Sequence, residues 1–107
     1  MKDKILLYGV GGEMAGKIFE LDNTVVVIGR KSDECSMVFS DDAIGVSGIH
    51  CQVKAVYPYL EIMDLGSRYG TFYENGERMQ ENVTYTLGNS EAFYIGEKAN
   101  RFIVKIK

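Results

Sequence analysis

Turn-forming residues punctuate this 107-residue chain so densely that long helices have nowhere to form. Glycines or Asn/Asp clusters recur roughly every eight to twelve residues, the spacing of an all-β domain. No stretch of about ten residues keeps apolar side chains at helical spacing without a glycine or a turn cluster. The runs between turns read as strands at Lys4–Tyr8, Lys17–Leu21, Thr24–Gly29, Met37–Phe39, Ile49–Val56, Tyr59–Asp64, Thr71–Tyr73, Thr84–Leu87, Ala92–Ile95 and Arg101–Ile106. A very short strand includes Arg78-Met79.

Alternation supports several of these strands. Ile49, Cys51, Val53 and Ala55 share one face, with His50, Gln52 and Lys54 on a polar face opposite. Phe102, Val104 and Ile106 point one way, and Arg101, Lys105 and Lys107 the other. Such half-buried strands suit antiparallel sheets with one wet face. Val25-Val26-Val27-Ile28 does not alternate and is expected to be covered on both sides. Asp22-Asn23, Tyr57-Pro58 and Glu74-Asn75-Gly76-Glu77 read as turns, and Asn-Gly is the strongest short-range hairpin signal. About eleven short strands cannot remain one flat sheet, so the expected fold is an all-β, two-sheet antiparallel β-sandwich.

Residues 1–107 suit one domain, which can be a fragment of a longer protein. With 46% hydrophobic and 25% charged residues, the composition is that of a folded globular chain. A net charge of −3 argues against general binding to nucleic acid or an anionic membrane. No apolar run approaches the roughly 18 residues needed to span a bilayer, and Met1–Leu7 is too short and too charged for a secretory leader. Cys35 and Cys51 lie beside apolar residues. Buried free thiols in a reducing compartment, hence a cytoplasmic location, are the expectation, with a single disulfide as the alternative because sequence does not give distance. Asn82-Val83-Thr84 fits a glycosylation sequon only by chance in that setting.

Three clusters carry the chemistry: Gly29-Arg30, then Ser47-Gly48-Ile49-His50, then Asp64-Leu65-Gly66-Ser67-Arg68-Tyr69-Gly70-Thr71. Each sits at the end of a strand or in the turn beside one. Together they offer two guanidinium groups and several hydroxyls from loops, the chemistry that grips a phosphate. Other motifs fail. Gly9-Val10-Gly11-Gly12-Glu13-Met14 lacks the third glycine of a dinucleotide loop, and no helix follows it. One histidine and two scattered cysteines make no zinc site. Asp41-Asp42 lacks the further ligands of a calcium loop. No metal or cofactor is expected. His50 and Cys51 are neighbours on a strand, so they point apart and make no catalytic dyad.

The order and separation of the clusters resemble the signature of the forkhead-associated domain. That family pattern is Gly-Arg, then Ser-x-x-His, then Ser-x-Asn-Gly-Thr, on an eleven-stranded β-sandwich. Gly29-Arg30, Ser47-Gly48-Ile49-His50 and Ser67-Arg68-Tyr69-Gly70-Thr71 match it, with Tyr69 in place of the usual Asn. Some bacterial members of the family carry this Tyr-Gly-Thr form. The resemblance implies a non-catalytic module that docks a phosphothreonine peptide. Arg30 and Ser47 would bind the phosphate, Arg68 would add a contact, and Gly48 and Tyr69 would line the peptide site. Gly29, His50, Ser67, Gly70 and Thr71 would support it. Gly48 stands where family members often carry Arg, Lys or Asn, and offers only its backbone N–H. The Asp41-Asp42 loop would disfavour acidic residues after the phosphothreonine. The implied partner is a phosphothreonine-containing protein, a substrate of a Ser/Thr kinase, with no nucleic acid and no membrane insertion. The alternative is a phosphate-independent protein-interaction or oligomerisation domain on the same fold. An enzyme would need a nucleophile–base or metal constellation, which the sequence does not offer.

Overall fold

The computed structural model describes residues 4–107, and the charged start at residues 1–3 lies outside them. The described residues form ten strands: β1 (Ile5–Gly9), β2 (Ile18–Leu21), β3 (Val26–Gly29), β4 (Met37–Val38), β5 (Ile49–Val56), β6 (Tyr59–Asp64), β7 (Thr71–Tyr73), β8 (Thr84–Leu87), β9 (Ala92–Ile95) and β10 (Arg101–Ile106). They make two five-stranded sheets, ordered β2-β1-β10-β9-β7 and β4-β3-β5-β6-β8. The anticipated strand at Arg78-Met79 is a single bridge between Phe72 and Arg78. One pair departs from the expected antiparallel pattern: β3 and β4 run parallel, through Ile28–Met37 and Gly29–Val38. Gly12–Met14 forms a 3-10 turn. Among the described residues no helix is long and apolar enough to cross a membrane.

The core lies between the sheets. Ile5, Leu7, Phe93, Phe102 and Val104 come from one sheet, and Ile28, Cys51, Val53, Leu60 and Ile62 from the other, all buried. Phe102 stacks on Phe93 at 5.3 Å and meets Phe39 edge-on at 6.5 Å. Both cysteines are free and buried. The turns at Asp22 and Asn75 form through their own side chains, which accept the N–H groups of Thr24 and Glu77.

Two expectations drawn from alternation fail. The valine run is not covered on both sides: Val25 is exposed, Val26 and Val27 are half-buried, and only Ile28 is fully enclosed. The sheet that holds β3 is packed on one face alone, so β-branched residues there serve strand propensity as much as burial. His50 is not on a wet face but wholly buried. Ile28 pairs with Cys51 while Gly29 pairs with Ile49, so β5 carries one extra residue, His50. This bulge breaks the period of two and turns the imidazole inward.

Candidate functional site

The loops after β3, β4 and β6 meet at one end of the sandwich. At the end of β3, Gly29 permits a close approach: a Cβ there would stand 2.2 Å from the Gly48 carbonyl oxygen. Just beyond, the N–H groups of Arg30 and Lys31 both donate to that oxygen, at 2.9 and 3.1 Å. The β3–β4 loop is thereby locked to the residue that follows Ser47. The β6–β7 loop joins from the other side, where the Arg68 N–H donates to Ser47 Oγ at 2.9 Å.

Arg30 is held by the loop between β4 and β5. Its Nε donates to the Val46 carbonyl and its Nη1 to the Asp41 carbonyl, both at 2.7 Å. These bonds fix the plane of a half-buried guanidinium and leave the N–H groups of Nη2 as donors. Among the described residues neither Arg30 nor Arg68 pairs with a carboxylate, whereas Arg101 is tied to Glu74. A fixed cation without a counter-ion is a ready partner for an anion. Ser47 accepts from Arg68, and its own O–H remains available to donate.

Behind this front lies a hydrogen-bonded support. Ser47 N–H donates to His50 Nδ1 at 3.0 Å, so Nδ1 is unprotonated and Nε2 carries the proton given to the Gly70 carbonyl at 2.8 Å. The neutral imidazole thus ties the Ser47 turn to the β6–β7 loop. Burial lowers its pKa below the ordinary 6.5, against the opposing pull of the Gly70 carbonyl and Asp64. These two bonds, made by a buried ring rather than one on the expected polar face, are the contacts through which His50 meets both loops.

Asp64, at the end of β6, organises the β6–β7 loop; the sequence placed it in the third cluster but assigned it no role in the site. Its Oδ2 accepts the N–H groups of Gly66 and Ser67 at 3.0 Å, and its Oδ1 accepts the hydroxyls of Ser67 and Thr71. Burial alone would raise its pKa. The Ser67 and Thr71 hydroxyls and the two N–H groups outweigh burial and hold the carboxyl below 3.8. Ser67 Oγ in turn accepts the Gly70 N–H at 3.0 Å. Gly70 has a φ of +92°, and a Cβ there would meet Phe72 and Arg78 at 2.8 Å. The sequence signal was Asp64 followed by Gly66 and Ser67, the pattern of an Asx turn.

Arg68 enters the cluster through its main chain. Its guanidinium lies over the half-exposed Tyr69 ring, 5.5 Å from the centroid. Gly48 is overlain by the stem of Lys31, a residue the sequence did not single out. Asp41 contributes its carbonyl to Arg30, and the Asp42 carboxylate accepts from Ser40 Oγ at 3.0 Å. Arg78 donates to the Ser67 carbonyl at 3.4 Å, and its guanidinium lies 6.0 Å from the Phe72 ring centroid.

The arrangement is a rim of fixed donors on loops carried by a rigid scaffold, suited to holding an anionic group of a larger ligand. Comparison with solved structures agrees in architecture. The FHA domain of the CT664 protein from Chlamydia trachomatis is 20% identical, with a TM-score of 0.81, over 95% of this chain and 96% of that one. The N-terminal FHA domain of Rad53p from S. cerevisiae, in complex with a phosphothreonine peptide, is 17% identical with a TM-score of 0.76, over 97% and 94%. Mycobacterium tuberculosis EmbR, in complex with a low affinity phosphopeptide, is 23% identical with a TM-score of 0.75; 97% of this chain aligns with 24% of EmbR. No curated protein sequence matches. The family model of the FHA domain matches residues 26–96, which hold all three clusters and more than half of the chain. This chain belongs to the FHA-domain family.

Proposed function

We propose that this chain is a phosphothreonine-peptide-binding signalling module, acting as one non-catalytic domain in the cytoplasm. Its partner is a phosphorylated protein, the substrate of a Ser/Thr kinase. The observation that carries this reading is Arg30: a guanidinium clamped by two carbonyls, free of any carboxylate among the described residues, beside the Ser47 turn. A phosphate brings roughly −1.5 to −2 charge at neutral pH, which makes that cation the largest single attraction. Ser47 donates its hydroxyl, Arg68 adds positive charge, and Gly48 and Tyr69 flank the bound peptide. Gly29, His50, Ser67, Gly70 and Thr71 keep the loops in place. The phosphopeptide complexes of Rad53p and EmbR support the same use of this fold.

The test is a titration with a degenerate phosphothreonine peptide library, beside its unphosphorylated and phosphoserine counterparts. Arg30→Ala should abolish phosphate-dependent binding, a loss of about a hundredfold for a charge-assisted fork. If the folded protein shows no phosphate dependence, the alternative stands: a protein-interaction or oligomerisation domain that recognises an unmodified surface.

A further inference from the structure

Lys31 occupies an unusual place. Its backbone N–H donates to the Gly48 carbonyl, and its side chain then doubles back over the same residue. A Cβ on Gly48 would stand 3.3 Å from Lys31 Cε, 3.4 Å from Cγ and 3.6 Å from Cδ. The stem therefore runs through the space that a side chain at position 48 would fill. Gly48 has an ordinary φ, so its backbone does not demand glycine; the vacancy is what admits the lysine. Gly48 directly follows Ser47, and neighbouring Cα atoms are about 3.8 Å apart. An ammonium on that stem is within side-chain reach of an anion held at the Ser47 hydroxyl. Its present partner is the Glu34 carboxylate, 3.6 Å away, with both side chains about half exposed. Such a surface pair is weak and exchanges readily.

We propose that Lys31 is a further phosphate ligand, swinging from Glu34 to the bound phosphate and supplying the cation that Gly48 cannot. The inference rests on the phosphothreonine reading above. Glu34 then acts as a competitor that holds the ammonium near the site when it is empty.

The experiment follows amide shifts during titration with O-phospho-L-threonine, which removes any dependence on peptide sequence. Five proteins are compared with the wild type: Arg30→Ala, Lys31→Met, Lys31→Arg, Glu34→Gln and the Lys31→Met/Glu34→Gln double variant. Lys31 and Glu34 are exposed, so these variants keep the fold. Lys31→Met should weaken binding about fivefold, as for one flexible charge-assisted contact, while Lys31→Arg retains it. Glu34→Gln should tighten binding about twofold, and only while Lys31 is present. Unchanged affinity in Lys31→Met with affinity lost in Arg30→Ala overturns the Lys31 assignment and leaves the phosphothreonine reading intact. An equal gain from Glu34→Gln without Lys31 also overturns it, since Glu34 would then act through its field alone. Absence of any phosphothreonine-induced shift in the wild type overturns both.

Discussion

At the scale of single residues, the candidate site depends on two buried polar groups that lie behind its rim of donors. Asp64 accepts four hydrogen bonds from the loop that carries Arg68 and Tyr69. Asp64→Ala leaves those donors without a partner in a dry setting and should cost about 3 kcal/mol. A urea midpoint close to that of the wild type would show the loop to be held by other contacts. His50 sets the pH response. Its pKa is lowered by folding, so the unfolded chain binds the proton first as pH falls. The stability it contributes is complete above the ordinary 6.5 and is lost as pH drops below it. Asp64 is lowered too, and its contribution is lost further into acid, below 3.8. Denaturant midpoints should therefore fall between pH 7.5 and 5.5 in the wild type. In His50→Gln they should start lower and stay flat across that window. A flat wild-type profile would refute the neutral, Nε2-protonated assignment.

At the scale of elements, the decisive contact is the approach of β3 to the start of β5. Gly29→Ala would drive a methyl into the Gly48 carbonyl, 2.2 Å away, where both atoms belong to paired backbone. The strands must separate, at a cost of about 2 kcal/mol. Arg30 would then move away from the Ser47 turn, so phosphate-dependent binding should fall with stability. Gly48→Ala meets only a flexible lysine stem and should fold normally. Comparing the two by thermal unfolding checks the point; equal losses would place the constraint elsewhere. Strand positions were legible because their boundaries are written in glycine, Asn-Gly and Asp signals, as at Asn75-Gly76 and Asp22. His50's orientation was not, because a bulge is a property of two paired strands and leaves no mark on one of them. The Lys31 stem over Gly48 was hidden for the same reason, since the two residues meet only where the end of β3 and the start of β5 come together. Asp64 was legible in principle, from the short-range spacing of Asp64, Gly66 and Ser67.

At the scale of the whole molecule, the site is divided between the sheets. Arg30 and Ser47 follow or precede strands of one sheet, while Gly70 leads into β7 of the other. His50 bridges the two through the Gly70 carbonyl, and the Gly96 N–H donates to that same oxygen at 2.9 Å. Hydrogen bonds across the sheets therefore set the relative position of the loops, whereas Phe102 lies in the packing between the sheets, against Phe93 of its own sheet and Phe39 beyond β4. Phe102→Ala should cost about 4 kcal/mol through lost burial and the cavity left behind. The cavity opens between the sheets rather than at the loop hydrogen bonds. The folded fraction of Phe102→Ala, at low temperature, should bind a phosphothreonine peptide with wild-type affinity. Asp64→Ala, destabilised to a similar extent, should lose affinity even when folded. Measuring unfolding and peptide binding on the same samples separates the two. Equal loss of binding in both variants would mean that the loops hold their geometry only through the packing of the entire sandwich, and that the hydrogen bonds of Asp64 and His50 follow that packing rather than direct it.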